Sequence, residues 1–158
     1  MKIIRDFKEL LRISKKLRNE GKTLVFTNGC FDILTVAHVR SLQEGKKYGN
    51  VLIVGLNSDA SVKHLKGNNR PVIPEEQRAE ILAQLPYVDY IYIFPWNSPL
   101  PILQAIKPEI YLKGGDYKKR INKSGCREFV KNYGGKIILT KFIPDISTTK
   151  IIERIKKL

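Results

Sequence analysis

Cysteine, histidine, tryptophan and methionine are all scarce in this sequence, with two, two, one and one among 158 residues. Cys30 and Cys126 form no C-x-x-C pair, which argues against a disulfide framework. Two cysteines and two histidines are too few to suggest a zinc site, so no metal-ligating set is expected from the side chains. No apolar run approaches the roughly 20 residues that a membrane span requires. The opening Met1-Lys2-Ile3-Ile4-Arg5-Asp6 turns charged too early for a signal peptide. These absences predict a cytoplasmic protein without a membrane partner. Acidic residues are also few: 15 Asp and Glu stand against 29 Lys and Arg, a net charge of +14. Such a balance draws anions by long-range attraction. The anion could be nucleic acid or a small phosphorylated substrate, and many of the lysines form a solvated surface in either case. No recognition helix, RRM or zinc signature accompanies the charge, so no specific nucleic-acid partner is expected.

What is present fits one α/β domain over 1–158, with an N-terminal helix inside 1–21 and a core over 22–158. Hydrophobic residues at 42% and charged residues at 28% place the chain among globular rather than disordered proteins. Short β-rich runs alternate with amphipathic stretches, the pattern of a parallel sheet with crossover helices. The periodicity predicts helices over 6–19, 36–48, 74–85, 99–106, 127–133 and 147–156. It predicts strands over 24–26, 51–54, 88–94, 110–112 and 136–139. The expected architecture is a Rossmann-like, doubly wound, five-stranded parallel sheet. Ligands of such sheets bind beyond the carboxyl ends of the strands, near the switch in strand order.

The first strand runs directly into Thr27-Asn28-Gly29-Cys30-Phe31-Asp32, and a helix opens near Thr35. A strand, a glycine-bearing turn and a helix N-terminus leave backbone N–H groups beside the helix dipole, a natural phosphate site. Gly29 lets the backbone approach a phosphate, and His38 falls in the first helical turn, where it can donate a hydrogen bond. The same spacing also fits a plain N-cap at Thr35 and a partly exposed histidine. Lys113 follows a strand end, either facing a phosphate or solvated in a tight loop. Ser147-Thr148-Thr149 opens the last helix and offers hydroxyls and N–H groups, or simple capping. Lys63, Lys66 and Arg70 are expected in a polar loop after the second strand, gathered around a substrate phosphate or merely solvated. Asp59 contacts a sugar or orders that loop. Trp96, in a Pro-flanked loop, has no assigned role.

The run Gly29-Cys30-Phe31-Asp32-Ile33-Leu34-Thr35-Val36-Ala37-His38 resembles the G-x-F-D-x-x-H-x-G-H signature of the cytidylyltransferase-like nucleotidyltransferases. Asn57-Ser58-Asp59, Leu65-Lys66-Gly67, Arg70-Pro71-Val72, Glu76-Gln77-Arg78, Lys113-Gly114-Gly115-Asp116-Tyr117 and Ser147-Thr148-Thr149 follow in that family's order. The similarity runs from about Lys22 to the end. It is strongest to the branch that adenylylates D-glycero-β-D-manno-heptose 1-phosphate, in ADP-heptose and lipopolysaccharide synthesis. The resemblance implies catalytic roles for His38, Thr35 and Lys113. It implies nucleotide contacts from Thr27, Asn28, Gly29, Cys30, Phe31, Arg78, Gly115, Asp116, Ser147, Thr148 and Thr149. It implies substrate contacts from Asp32, Asn57, Asp59, Lys66 and Arg70. The alternative for Arg78 is a surface pair with Glu75 or Glu76. ATP and a sugar phosphate are the implied substrates, with Mg²⁺ carried on the nucleotide.

Two positions depart from the signature. Threonine 35 replaces a histidine and offers a neutral hydroxyl where the family has an imidazole. Ala37 replaces a glycine and adds a methyl group beside the nucleotide. In this branch the adenylyltransferase is often fused to a sugar kinase, and 158 residues hold no kinase-sized segment, so a separate kinase is expected. Homodimers are common among relatives, and the sequence leaves the oligomeric state open. The expected reaction is in-line attack of a sugar 1-phosphate oxygen on the α-phosphate of ATP. Three alternatives stand beside it: a glycerol-3-phosphate cytidylyltransferase, an FAD-synthetase-like enzyme, and a nucleotide binder of weak catalytic power.

Overall fold

A computed structural model describes residues 2–114, 125–141 and 146–158. In chain order the elements are β1 (Ile3–Ile4), α1 (Phe7–Asn19), β2 (Leu24–Gly29), α2 (Val36–Lys46), β3 (Val51–Asn57), α3 (Asp59–Lys66), α4 (Glu75–Ala83), β4 (Tyr90–Phe94), α5 (Leu100–Ile106), β5 (Ile110–Lys113), α6 (Cys126–Asn132), β6 (Lys136–Leu139) and α7 (Thr148–Ile155).

The strands form a six-stranded sheet in the order β1-β4-β3-β2-β5-β6, parallel at every pairing. Five strands were expected. The sixth is the Ile3–Ile4 pair, which lies beside Ile91 and Tyr92 of β4. Two residues carry no readable periodicity, so nothing local marks them as a strand. Their pairing exists because β4 offers an open edge and Ile4 has a core to enter, where it is 1% exposed.

The strands read as near-continuous apolar runs because both faces are covered. Alternate residues divide cleanly between two cores. Leu24, Phe26, Val51, Ile53, Tyr92, Phe94 and Tyr111 join Leu10 of α1, Ile102, Leu103 and Ile106 of α5, and Val130 of α6. Val25, Leu52, Val54, Leu56, Ile91, Ile93, Ile110 and Leu112 join Leu42 of α2 and Ala79 and Leu82 of α4. Each such side chain contributes about 1.5–3 kcal/mol when fully buried. Gly45 lets α2 sit close to the sheet: a Cβ there would come within 2.5 Å of Leu112 Cδ2.

Helix α3 is a second difference from expectation, since residues 63 and 66 were placed in a polar loop. Its apolar positions are few, but its ends are well specified. Ser58 caps it by accepting from Ser61 N–H at 3.2 Å. Asp59 occupies the first turn, and Lys63, His64 and Lys66 the last, matching the helix dipole at both ends. Gly67, with φ +98°, ends it. Trp96, unassigned from sequence, packs edge-on against Phe7 at 5.3 Å and lies near Tyr92 and Phe94. Among the described residues no helix is long and apolar enough to cross a membrane.

If β1 is part of the core, Ile4→Ala should lower unfolding free energy by about 2–5 kcal/mol. Ile3→Ala, at a half-buried position, should cost less. Urea denaturation of both variants checks the difference.

Candidate functional site

From β2 the chain builds β3 and β4 to one side, then returns to place β5 and β6 on the other. The switch in strand order therefore falls between β2 and β5, and in such sheets the ligand crevice lies beyond the carboxyl ends of the strands there. Asn28, next to last in β2, and Lys113, last in β5, meet across it. Lys113 Nζ donates to Asn28 Oδ1 at 2.5 Å, and Tyr111 Oη donates to the same oxygen at 2.9 Å. Residues two apart on a strand share a face, which brings Tyr111 and Lys113 to one acceptor. The ammonium also lies 4.9 Å from the Tyr111 ring centroid. The Tyr111 contact was not foreseen, and strand alternation from Lys113 is the signal that would have found it.

Beyond β2 the chain turns through Cys30 and Phe31 to the N-terminus of α2. Thr35 is its N-cap. Thr35 N–H donates to His38 Nδ1 at 3.1 Å, and the Thr35 hydroxyl lies 3.0 Å from the same nitrogen. A nitrogen that accepts an amide hydrogen bears no proton, so the neutral imidazole is protonated at Nε2. The tautomer that donates from Nε2 is thus set by the backbone of residue 35, which threonine supplies as well as histidine would. Ala37 is half-buried at the second position of α2.

Phe31 is the only described residue in this junction with a left-handed backbone, φ +46°. For a bulky residue that conformation costs about 1–3 kcal/mol. Its ring sits 5.3 Å from the His38 ring, edge-on. A Cβ on Gly29 would approach Phe31 Cε2 to 3.1 Å, so the glycine leaves room for that ring as well as for a ligand.

Two buried charges stand behind the junction. Asp32 is 2% exposed. It pairs with Arg70 and accepts from Val72 N–H at 2.8 Å and Ile73 N–H at 2.9 Å. Arg78 is 1% exposed. It donates to Ile73 O at 2.8 Å, Cys30 O at 2.5 Å, Asn57 O at 2.9 Å and Asp59 Oδ1 at 2.6 Å. The surface pair with Glu75 or Glu76, the alternative for Arg78, does not form. Glu76 pairs with Arg5, and Glu75 accepts from Asp59 N–H at 2.5 Å.

The structure therefore gathers the sequence candidates into two groups. Thr27, Asn28, Gly29, Cys30, Phe31, Thr35, His38 and Lys113 share the crevice end of β2 and β5. Thr148, at the start of α7 between Ser147 and Thr149, reaches the loop before α2, its hydroxyl donating to Ile33 O at 3.2 Å. Ser147 is the N-cap, accepting from Lys150 N–H at 3.2 Å. Asp32, Asn57, Asp59, Arg70 and Arg78 form the layer beneath, with their polar groups engaged by protein. The Asn57 side chain donates to Ser61 Oγ at 2.9 Å, and Ser61 Oγ donates to Trp96 O at 2.9 Å. Lys66 closes α3 and is exposed. Gly115 and Asp116 lie outside the described residues. Burial pushes the Cys30 thiol above its usual range, against the opposing pull of Lys66, Arg78 and Arg70. The raised thiol disfavours the thiolate, the reactive form.

The sequence profile of the cytidylyltransferase-like family matches residues 26–154. Among curated proteins, the "Bifunctional protein HldE" of Nitratiruptor sp. is 49% identical over 97% of this chain, and that of Geotalea uraniireducens 46% identical over 97%. The chain spans about a third of those relatives, 32% and 31% of their lengths. Among solved structures, a lipopolysaccharide core biosynthesis protein from Thermoplasma volcanium superposes with a TM-score of 0.67 at 25% identity. That match covers 78% of this chain and 99% of the other. A pantoate-beta-alanine ligase from Francisella tularensis, at 18% identity, covers 99% of this chain and 77% of its own, and shares the fold with a TM-score of 0.66.

The raised thiol makes a checkable outcome. Alkylation of Cys30 by iodoacetamide, followed by peptide mass spectrometry, should be slower near neutral pH than that of an unperturbed cysteine. Its rise with pH should be displaced upward. Saturating nucleotide should slow it further, and a rate matching a free thiol would contradict the burial.

Proposed function

This chain belongs to the cytidylyltransferase-like family of nucleotidyltransferases, and we propose that it transfers AMP from ATP to D-glycero-β-D-manno-heptose 1-phosphate, releasing pyrophosphate and ADP-heptose. The observation that carries this reading is the meeting of the Asn28–Lys113 bridge, the start of α2 and His38 at the switch in strand order. Support for the heptose acceptor comes from the downstream blocks and from the similarity to the HldE proteins. ADP-heptose would feed lipopolysaccharide core synthesis in the cytoplasm.

An oxygen of the sugar 1-phosphate attacks the α-phosphorus of ATP in line, and the bond to the β-phosphate bridging oxygen breaks. A phosphate dianion is already a competent nucleophile, so no general base is required. Catalysis rests on alignment and on stabilising charge at the transferred phosphoryl group. His38 donates from Nε2 to that group, and Lys113 adds positive charge from the opposite strand. The N–H groups of the first turn of α2 donate to the phosphate oxygens, aided by the helix dipole. Ser147, Thr148 and Thr149 supply hydroxyls and N–H groups toward the triphosphate, and Lys66 lies on the acceptor side. Arg70 and Arg78 act from behind the loop.

Among the described residues no group of three His, Cys, Asp or Glu side chains is placed to hold a metal ion. Mg²⁺ is proposed as part of the nucleotide substrate, held by its phosphates, and no step is assigned to it. A sugar kinase is the enzyme class that supplies the 1-phosphate. A homodimer is the proposed assembly.

Pyrophosphate release should be fastest with ATP and heptose 1-phosphate. The comparison set is ATP and CTP, each with heptose 1-phosphate, glycerol 3-phosphate and FMN. Preference for CTP with glycerol 3-phosphate, or for ATP with FMN, would replace this substrate assignment. His38→Ala should lower kcat by about 10²–10³-fold, the loss expected for one preorganised donor. Thr35→His and Ala37→Gly together should change turnover little. A gain of several orders would instead mark the wild-type chain as a weak catalyst.

A further inference from the structure

We propose that Arg78 is a positioning residue for His38, acting through the left-handed backbone of Phe31. The clamp is a closed circuit of bonds around one residue. Arg78 holds Cys30 O at 2.5 Å, and that carbonyl belongs to the peptide plane leading into Phe31. The φ angle of Phe31 is the angle between that plane and its own Cα substituents, so fixing the carbonyl restrains one side of φ directly. On the other side, Asp32 is anchored by Val72 N–H, Ile73 N–H and Arg70. The circuit closes at Ile73, whose N–H goes to Asp32 and whose carbonyl goes to Arg78.

Both charges in the circuit are almost wholly buried, so water cannot replace a lost bond cheaply. A left-handed phenylalanine persists where its surroundings over-determine it, and here both neighbouring residues are held. In that conformation the ring fills the gap between Gly29 and His38. The imidazole is then fixed on two sides, by the Phe31 ring and by Thr35 N–H at Nδ1. Releasing Cys30 O lets Phe31 leave the left-handed region, and the ring leaves the imidazole with it. Lysine at 78 keeps the charge but cannot present a planar fork to carbonyls on three separate segments.

The activity arm of the test rests on the proposed nucleotidyl transfer. Full-length Arg78→Lys and Phe31→Gly would be assayed with His38 intact and in a His38→Ala background, with circular dichroism confirming the fold. Glycine adopts positive φ freely but brings no ring. Each variant should lower kcat by about 10²-fold with His38 present, the scale of a small misplacement of a reacting group. In the His38→Ala background each should change kcat by less than about 3-fold, because residues acting as a unit are not additive. Losses that multiply in the double variants would overturn the proposal. Phe31→Gly leaves the buried charges in place and carries the test if Arg78→Lys does not fold.

A second arm needs no turnover. The His38 ring ¹H shifts should carry the ring current of the edge-on Phe31 ring, 5.3 Å away, in the wild type and lose it in Arg78→Lys as in Phe31→Gly. Unchanged shifts in folded Arg78→Lys would sink the clamp even if the enzyme turns over. Absent turnover in the wild type with altered shifts in Arg78→Lys would instead fault the substrate assignment and support the clamp.

Discussion

A guanidinium taken wholly out of water must be met by acceptors in fixed places, and much of this site is arranged around that requirement. Arg78 draws Cys30 O, Asn57 O, Ile73 O and Asp59 to one point. Those groups belong to the exit of β2, the end of β3, the segment before α4 and the start of α3. Four pieces of chain that could each wander are thereby tied to one side chain. Asp32 performs the reciprocal task with the opposite charge, accepting two N–H groups and pairing with Arg70. Removing either charge alone would strand the partners of the other in an apolar setting, which makes such networks expensive to break and slow to drift.

The layer above this network is where a ligand would meet the protein, and its chemistry is one of donors. The bridge from Lys113 to Asn28, the start of α2 and the hydroxyls of α7 offer donors of the kind that suit an anion. The wider charge of +14 adds attraction at long range. At short range Arg70 and Arg78 are paired with Asp32 and Asp59, so their charge is held in place beneath the crevice. The departure at residue 35 has a limited structural consequence, because the bond that orients His38 comes from backbone. Nothing in the structure explains the methyl of Ala37, half-buried at the second position of α2.

Much of the fold was legible because its drivers are local. Val51, Leu52, Ile53 and Val54 can be read as a doubly buried strand without knowledge of their neighbours, and Pro74 with two glutamates announces a helix. The misses have physical reasons. Ile3–Ile4 is too short for periodicity and becomes a strand only through β4. Thr27, Asn28 and Gly29 look like a loop by composition, yet the ladder with Val54, Gly55 and Leu56 carries them as strand. Helix α3 has a thin apolar stripe, so its basic residues resembled a solvated loop, although its caps were written in Ser58 and Gly67. For the site, resemblance supplied the residues without their connections. Asn28 and Lys113 are 85 positions apart, and Cys30 and Arg78 are 48 apart. Only the strand order brings them together, and no local pattern encodes it.

The placement of Trp96 has an optical consequence. It is the sole tryptophan, set among Phe7, Tyr92 and Phe94, and its carbonyl is tied through Ser61 to the end of β3. The chain thus carries one indole emitter at the junction of α1, β4 and α3. Its colour and intensity answer to the packing of that corner alone, so the molecule comes with a built-in gauge of how α3 sits on the sheet.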